Sequence, residues 1–336
     1  MIELMGGKES DGVITANTIQ VSIIVVVKNG EKWIRSCLDS LLAQNETGFA
    51  YEIIVVDGGS NDRTLANIEG YKVKLIIDKE GTIAHSRNIG IQASLGEYVA
   101  FTDSDCIVQK DWLKLLFEDL KNRPEVIAVG GPNLVRCDDP PFSKVIAYMQ
   151  GTYFGSGGSP QSYNLKESKY VYSLANCNVM YRKNFLVGND FDDRLNVGED
   201  CELNYRLYQK GYHFLYLPNA VVWHARSRSF QNFTKKMFLY GDAMAKVIKK
   251  HKCVVRWFAP LPTIGLLSVI FSLLLTSVLP AMFFVDVTLL LFYFVVLLSS
   301  TAEVYSKYRS KASLLVLLLL PAQHLAYASG FLKGIL

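Results

Sequence analysis

Charge is nearly missing from the end of this chain. The 336 residues carry 35 basic and 31 acidic side chains, yet only Asp286, Glu303, Lys307, Arg309, Lys311 and Lys333 lie beyond Arg256. Such a tail is too apolar to be a water-soluble domain, whereas the first 256 residues have globular charge density and enough length to bury a core. The chain also has no Cys-x-x-Cys pair, and its six scattered cysteines follow no secretory signal, the pattern of reduced thiols. No long apolar run opens the sequence, where Lys8, Glu9 and Asp11 intervene, so residues 1–19 are expected to form a flexible leader. The first strand-like segment is not followed by G-x-G-x-x-G, which argues against dinucleotide binding, and the absence of G-x-x-x-x-G-K-[ST] excludes a P-loop.

The net charge of +4 conceals an asymmetry. Arg226, Arg228, Lys235, Lys236, Lys246, Lys249, Lys250, Lys252 and Arg256 are opposed in their stretch by Asp242 alone, which leaves residues 1–225 net acidic, a poor surface for nucleic acid. The basic block stands directly before the apolar tail, where anionic lipid headgroups would be met. A basic amphipathic interfacial region is therefore expected at 230–256, with Phe233, Met237, Phe238 and Met244 turned to lipid; a solvated charged helix face is the alternative.

The tail, 257–336, contains three apolar runs: Leu261 to Leu279, about Val287 to Ala302, and Ser313 to Phe331. Each approaches the length needed to cross roughly 30 Å of hydrocarbon as a helix. Lys307, Arg309 and Lys311 fall on the same side as the basic block. The expectation is a multi-pass membrane protein with the large domain in the cytoplasm.

Within that domain, Val21 to Val27 is a continuous β-branched run, as in a strand covered on both faces of a parallel sheet. A helical spacing follows over Glu31 to Ala43, then a strand from Tyr51 to Val56 ending at Asp57. Next come Val73 to Ile77, a helix from about Thr82 to Ser94, and the strand Tyr98 to Phe101. This alternation predicts a doubly wound α/β sheet, whose ligands sit beyond the carboxyl ends of its strands. At those ends stand Lys28 and Asn29, Asp57 to Asp62, and Asp103-Ser104-Asp105. Asp57 can accept hydrogen bonds from a base or a ribose, beside glycines that let a ligand approach the backbone. Two carboxylates two residues apart can share one divalent ion with a diphosphate, and hard oxygen ligands suit Mg²⁺ or Mn²⁺. A turn or helix cap explains such a triplet equally well, with Asp111 and Trp112 opening the next helix.

Five segments, VSIIVVVKNGEKWI, EIIVVDGGSNDRT, IAHSRNIGI, GEYVAFTDSDC and GEDCELNYRLYQKGY, occur in the order found in family 2 glycosyltransferases. Over residues 20–229 the chain resembles these membrane-anchored, inverting, nucleotide-sugar-dependent enzymes of GT-A fold, a Rossmann-like, doubly wound mixed sheet. The resemblance implies a donor site from Val27, Asn29, Glu31, Asp57, Arg87, Asp103 and Ser104, with Arg87 near the diphosphate. It implies metal ligands Asp105, Asp103 and His224, an ion that is Mn²⁺ or Mg²⁺, and the pair Glu199 and Asp200, whose aspartate resembles the general base. Asn176 and Asn178 fall on the acceptor side. The pattern departs at Val26, where relatives carry proline, and after His224, where the Gln-x-x-Arg-Trp of processive synthases is missing. Transfer of one sugar from a UDP- or GDP-sugar to a lipid-linked glycan or polyprenyl phosphate is the implied reaction. A membrane scaffold that only binds nucleotide, and a membrane-tethered nucleotidyltransferase, are the alternatives.

Overall fold

The computed structural model describes residues 19–79, 81–253 and 255–336. The leader expected at 1–19 therefore lies outside the described residues except for Ile19, which opens the first strand. The chain divides into two compact units: the part up to Leu134 with Asn164–Ala225, and Val135–Tyr163 with Arg226–Leu336.

The first unit begins with β1 (Ile19–Val27), α1 (Ile34–Leu42), β2 (Ala50–Asp57), α2 (Thr64–Ile68), β3 (Lys74–Ile77) and α3 (Ile83–Ala93). It continues with β4 (Tyr98–Asp103), β5 (Cys106–Val108), α4 (Trp112–Asn122), β6 (Val126–Gly130) and β7 (Asn133–Leu134). After α5 (Pro141–Gln150), α6 (Tyr153–Ser156) and α7 (Pro160–Tyr163) of the second unit, the chain returns. There it adds β8 (Lys169–Val171), β9 (Val179–Arg182), α8 (Glu199–Gln209), β10 (His213–Tyr216) and β11 (Val222–His224).

Eight strands form one mixed sheet in the order β3-β2-β1-β4-β9-β6-β10-β8. β1 lies parallel to both β2 and β4, and β9 runs antiparallel between β4 and β6. Alternate residues of β1 serve opposite faces, as strand geometry requires. Val21, Ile23 and Val25 pack with Ile34, Leu38 and Leu41 of α1 and Trp112 and Leu116 of α4, while Ile24 packs with Ala84 and Ile91 of α3. Gly90 makes the second contact possible, because a Cβ there would stand 2.6 Å from Ile24 Cγ2. The strand order reverses at β1, which pairs with β2 on one side and with β4 on the other, and in a doubly wound sheet such a reversal is where a ligand crevice lies beyond the strand ends.

The second unit contains α5 to α7, α9 (Phe230–His251), α10 (Leu261–Thr276), α11 (Phe283–Tyr308) and α12 (Val316–Ile335). Residues 135–163, expected inside the 20–229 domain, belong here because α5 buries Val145, Ile146 and Met149 against Phe233, Val304, Val316 and Leu319. Among the described residues two segments, Pro280–Tyr308 and Lys311–Ile335, are long and apolar enough to cross a membrane, while Leu261–Thr276 has only 16 helical residues. The stretch expected at lipid needs correction. Phe233 and Met237 are buried in the protein, and Gly330 lets α12 approach the backbone of α9 at Phe238, so the apolar face of α9 is largely spent on protein contacts.

Candidate active site

The ends of β1 and β2 are tied together by their loops. Asn29 adopts a left-handed conformation (φ 54°), donates its N–H to Ser60 Oγ at 2.8 Å and accepts from Asn61 N–H at 2.9 Å. Glu31 accepts from Arg63 N–H, and the Val27 carbonyl accepts from Gly58 N–H. Asp57 is fully buried and receives the N–H groups of Gly59 and Ser60 and the Ser60 hydroxyl, at 2.6–3.0 Å. Its carboxylate shapes the turn, leaving at most one of its roughly four lone-pair directions for a ligand. Ser104 is half-exposed across the crevice from Gly30.

Asp103 ends β4, and Asp105 precedes β5. The antiparallel pairing of β11 with β5 sets His224 opposite Cys106, which carries the imidazole to Asp105, with His224 Nε2 3.2 Å from Asp105 Oδ1. A segment more than a hundred residues away thus joins the rim through ladder register. One donor atom each from Asp103, Cys177 and His224 lies within 4.8 Å of the others, as do those of Asp105, Cys106 and His224. His224 Nδ1 is buried and has no hydrogen-bond partner among the described residues, an expensive condition unless another group takes it up. Two carboxylates and an imidazole fit a divalent ion such as Mn²⁺, or Mg²⁺ with more retained water.

Arg87 joins the two acidic elements. Nearly fully buried on α3, its guanidinium donates Nη1–H to Glu199 Oε1 and Nη2–H to Asp103 Oδ1, the latter at 3.1 Å. Burial opposes the charge of Arg87, but Glu199, Asp103 and Asp200 outweigh it and hold the guanidinium protonated. Glu199 behaves differently. Burial pushes its carboxyl up to about 7 despite Arg87, with the charge of Asp200 adding to the rise.

Glu199 and Asp200 open α8 behind Gly198, which has φ 78°. The acidic first turn complements the helix dipole, so the local and the functional reasons for these residues coexist. Asp200 is half-buried and accepts the N–H of Cys201 at 2.6 Å. The preceding loop is fixed to α3 by Asn88, which exchanges two hydrogen bonds of 2.9 Å with the backbone of Phe191. Sequence reasoning passed over Asn88 and the Arg87–Glu199 pair, whose partners lie over one hundred residues apart with no local signal.

The two asparagines expected on the acceptor side part ways. Asn178 is a correction: it is fully buried, accepts from Trp112 Nε1–H at 2.8 Å and donates to the carbonyls of Pro132 and Ala220. With its amide spent on the core, it does not face an acceptor. Asn176, also buried, has no partner for its Nδ2 among the described residues. Nearby, burial and the charge of Asp200 push the Tyr181 hydroxyl far up, so it keeps its proton and donates a hydrogen bond to Asn204 Oδ1 at 2.7 Å.

A parallel half-sheet extended by antiparallel strands, with carboxylates from separate segments gathered at its rim, defines a GT-A glycosyltransferase. Residues 22–187 match the family model described as glycosyl transferase family 2, and the chain belongs to that family. A dolichyl N-acetyl-α-D-glucosaminyl phosphate 3-β-D-2,3-diacetamido-2,3-dideoxy-β-D-glucuronosyltransferase of Methanococcus voltae is 26% identical over 331 residues, covering 94% of this chain and 97% of the relative. Glycosyltransferase AglE of Haloferax volcanii is 26% identical over 68% of this chain and 73% of its own length. The poly(ribitol-phosphate) β-N-acetylglucosaminyltransferase TarS of Staphylococcus aureus is 27% identical, and the match spans 37% of its length. Among solved structures, the mannosyltransferase PcManGT of Pyrobaculum calidifontis, in complex with GDP-Man and Mn²⁺, superposes with a TM-score of 0.58 at 17% identity. It covers 93% of this chain and 87% of that one. TarS 1–349 gives 0.51 at 22% identity, over 94% and 91%. These two likenesses establish the fold.

Proposed function

We propose that this enzyme transfers one sugar from a UDP- or GDP-sugar to a hydroxyl of a lipid-linked glycan, with inversion and with Asp200 as general base. The observation that carries this reading is the Arg87 bridge, which unites Asp103 with the Glu199-Asp200 turn. Asp200 takes the proton of the acceptor hydroxyl as its oxygen attacks the anomeric carbon; the bond from that carbon to the diphosphate oxygen breaks, and the nucleoside diphosphate departs. Attack opposite the leaving group inverts the centre. Arg87 is placed to stabilise charge gathering on the diphosphate. Asp103, Asp105 and His224 would hold the divalent ion, which when bound supplies positive charge for the same purpose. Val27, Asn29, Glu31, Asp57 and Ser104 form the donor side of the crevice, and Asn176 lies toward the acceptor.

The Methanococcus relative, matched over nearly its full length, acts by its name on a dolichyl-phosphate-linked N-acetylglucosamine, which supports a lipid-borne sugar as acceptor. The GDP-Man and Mn²⁺ of the mannosyltransferase complex support a nucleotide sugar and a divalent ion. The apolar helices at 280–308 and 311–335 support attachment to the membrane, with the catalytic unit on the cytoplasmic side by the distribution of basic residues.

The test is nucleoside diphosphate release by the full chain in detergent, with nucleotide sugars, Mn²⁺ and lipid-linked acceptors. Asp200→Asn is expected to lower kcat by about 10²- to 10⁴-fold while donor binding by thermal shift persists. Full activity of that variant would instead indicate a polyprenyl phosphate acceptor, which is already ionised and needs no base.

A further inference from the structure

Beside the carboxylates, the rim holds groups of a different chemistry. We infer that Asp103, His224 and Cys177 also form a site for Zn²⁺, and that its occupation excludes the ion needed for transfer. The inference deepens the proposed function and rests on its assignment of Asp103 and His224 to a hard cation.

The three donor atoms lie within 4.8 Å of one another. Tetrahedral zinc bonds of about 2.0–2.3 Å place neighbouring ligand atoms roughly 3.3–3.6 Å apart, so closure needs a movement on the order of 1 Å. Backbone pairing explains the juxtaposition. β9 runs antiparallel to β4, with Val179 opposite Phe101, and the Thr102 hydroxyl donates to the Cys177 carbonyl at 3.1 Å, which brings the thiol beside Asp103. β11 delivers His224 from the other side.

Oxygen-preferring Mg²⁺ and Mn²⁺ gain little from sulfur, whereas zinc binds thiolate well and stands above manganese in divalent affinity. On binding, a sulfur–zinc bond forms and the thiol proton passes to water, with no change of oxidation state. A second trio, Asp105, Cys106 and His224, shares the imidazole. Cys106 is held in the β5 ladder opposite His224, while Cys177 occupies a turn before β9 and can make the movement more easily. Zinc on Asp103 and His224 occupies two of the three groups assigned to the transferring ion. Zinc is thus expected to inhibit.

The experiment uses the full chain in detergent, with Cys137→Ser and Cys253→Ser removing two more accessible thiols. Cd²⁺ is titrated while its ultraviolet thiolate-to-metal absorbance is followed, and Zn²⁺ binding is measured by competition. Cys177→Ser, Cys177→Ala and Cys106→Ser are compared, and Mn²⁺ with UDP or GDP is tested by thermal shift in parallel. The expected result is loss of the absorbance and at least about a tenfold fall in Zn²⁺ affinity in both Cys177 variants. The Mn²⁺ shift should remain, and Cys106→Ser should retain the absorbance. Retained absorbance and affinity without Cys177, or their loss in Cys106→Ser alone, overturns the inference. Absence of the Mn²⁺ shift from every protein, the parent included, overturns the hard-cation reading on which it rests.

Discussion

Replacing Arg87 by methionine isolates the bridge, because methionine keeps much of the buried stem and removes the charge. Breaking a buried ion pair costs about 3–5 kcal/mol when the remaining partner must stay charged. Glu199 is under no such constraint: with its carboxyl already pushed up to about 7, it takes a proton near neutral pH at little cost once Arg87 is gone. Asp103 is 30% exposed in its side chain, so water offsets part of its loss. The stability cost then falls to about 1–3 kcal/mol, mainly from lost hydrogen bonds. The effect on transfer is separate. Removing a positioned donor from developing charge costs on the order of 10²- to 10³-fold in rate. Nucleoside diphosphate release and thermal unfolding, measured on one preparation, distinguish the two effects. Arg87→Lys should be intermediate, since an ammonium lacks the planar fork that reaches both carboxylates. If Arg87→Met lowers the melting temperature yet keeps kcat/KM within about tenfold, the guanidinium only braces the fold and the reasoning fails.

The unusual carboxyl of Glu199 predicts a pH effect with a definite sign. Its folded-state value is raised from 4.5 to about 7, so its contribution to stability is complete below pH 4.5 and is lost as pH rises through about 7. Glu199→Gln, which mimics the protonated form, should melt with the parent near pH 4.5 and above it at pH 8; coincident melting at both would contradict the assignment. For Asn178→Ala, three buried hydrogen-bonding groups lose their partner. A cost of about 3 kcal/mol is expected, lowering the melting temperature by roughly 6–12 °C with little change in acceptor KM. A raised KM at unchanged melting temperature would return Asn178 to the acceptor side.

Much of the framework was legible along the chain. VSIIVVV, YEIIVV and the Thr82 to Ser94 segment announced β1, β2 and α3, because the period of apolar residues is a local property that burial simply enforces. The acidic start of α8 was visible too, since a helix N-terminus favours carboxylates wherever the helix lies. Asn178 misled because the family resemblance assigns it by its place along the chain, where its burial is not legible: the carbonyls that consume its amide come from Pro132 and Ala220. Residues 135–163 were misplaced for a similar reason, as the apolar face of α5 is recognisable in sequence but its partners among α9, α11 and α12 are not.

Strand and helix periods, the apolar tail, and the residue types available at the strand ends are written along the chain, for each depends on neighbours a few positions away. Which of those groups meet depends on the folded arrangement. Sheet register set His224 against Asp105 and Cys177 beside Asp103, and the packing of α3 on β1 carried Arg87 between Asp103 and Glu199. Their charges, proton affinities and ligand chemistry follow from separations of a few ångströms across the fold.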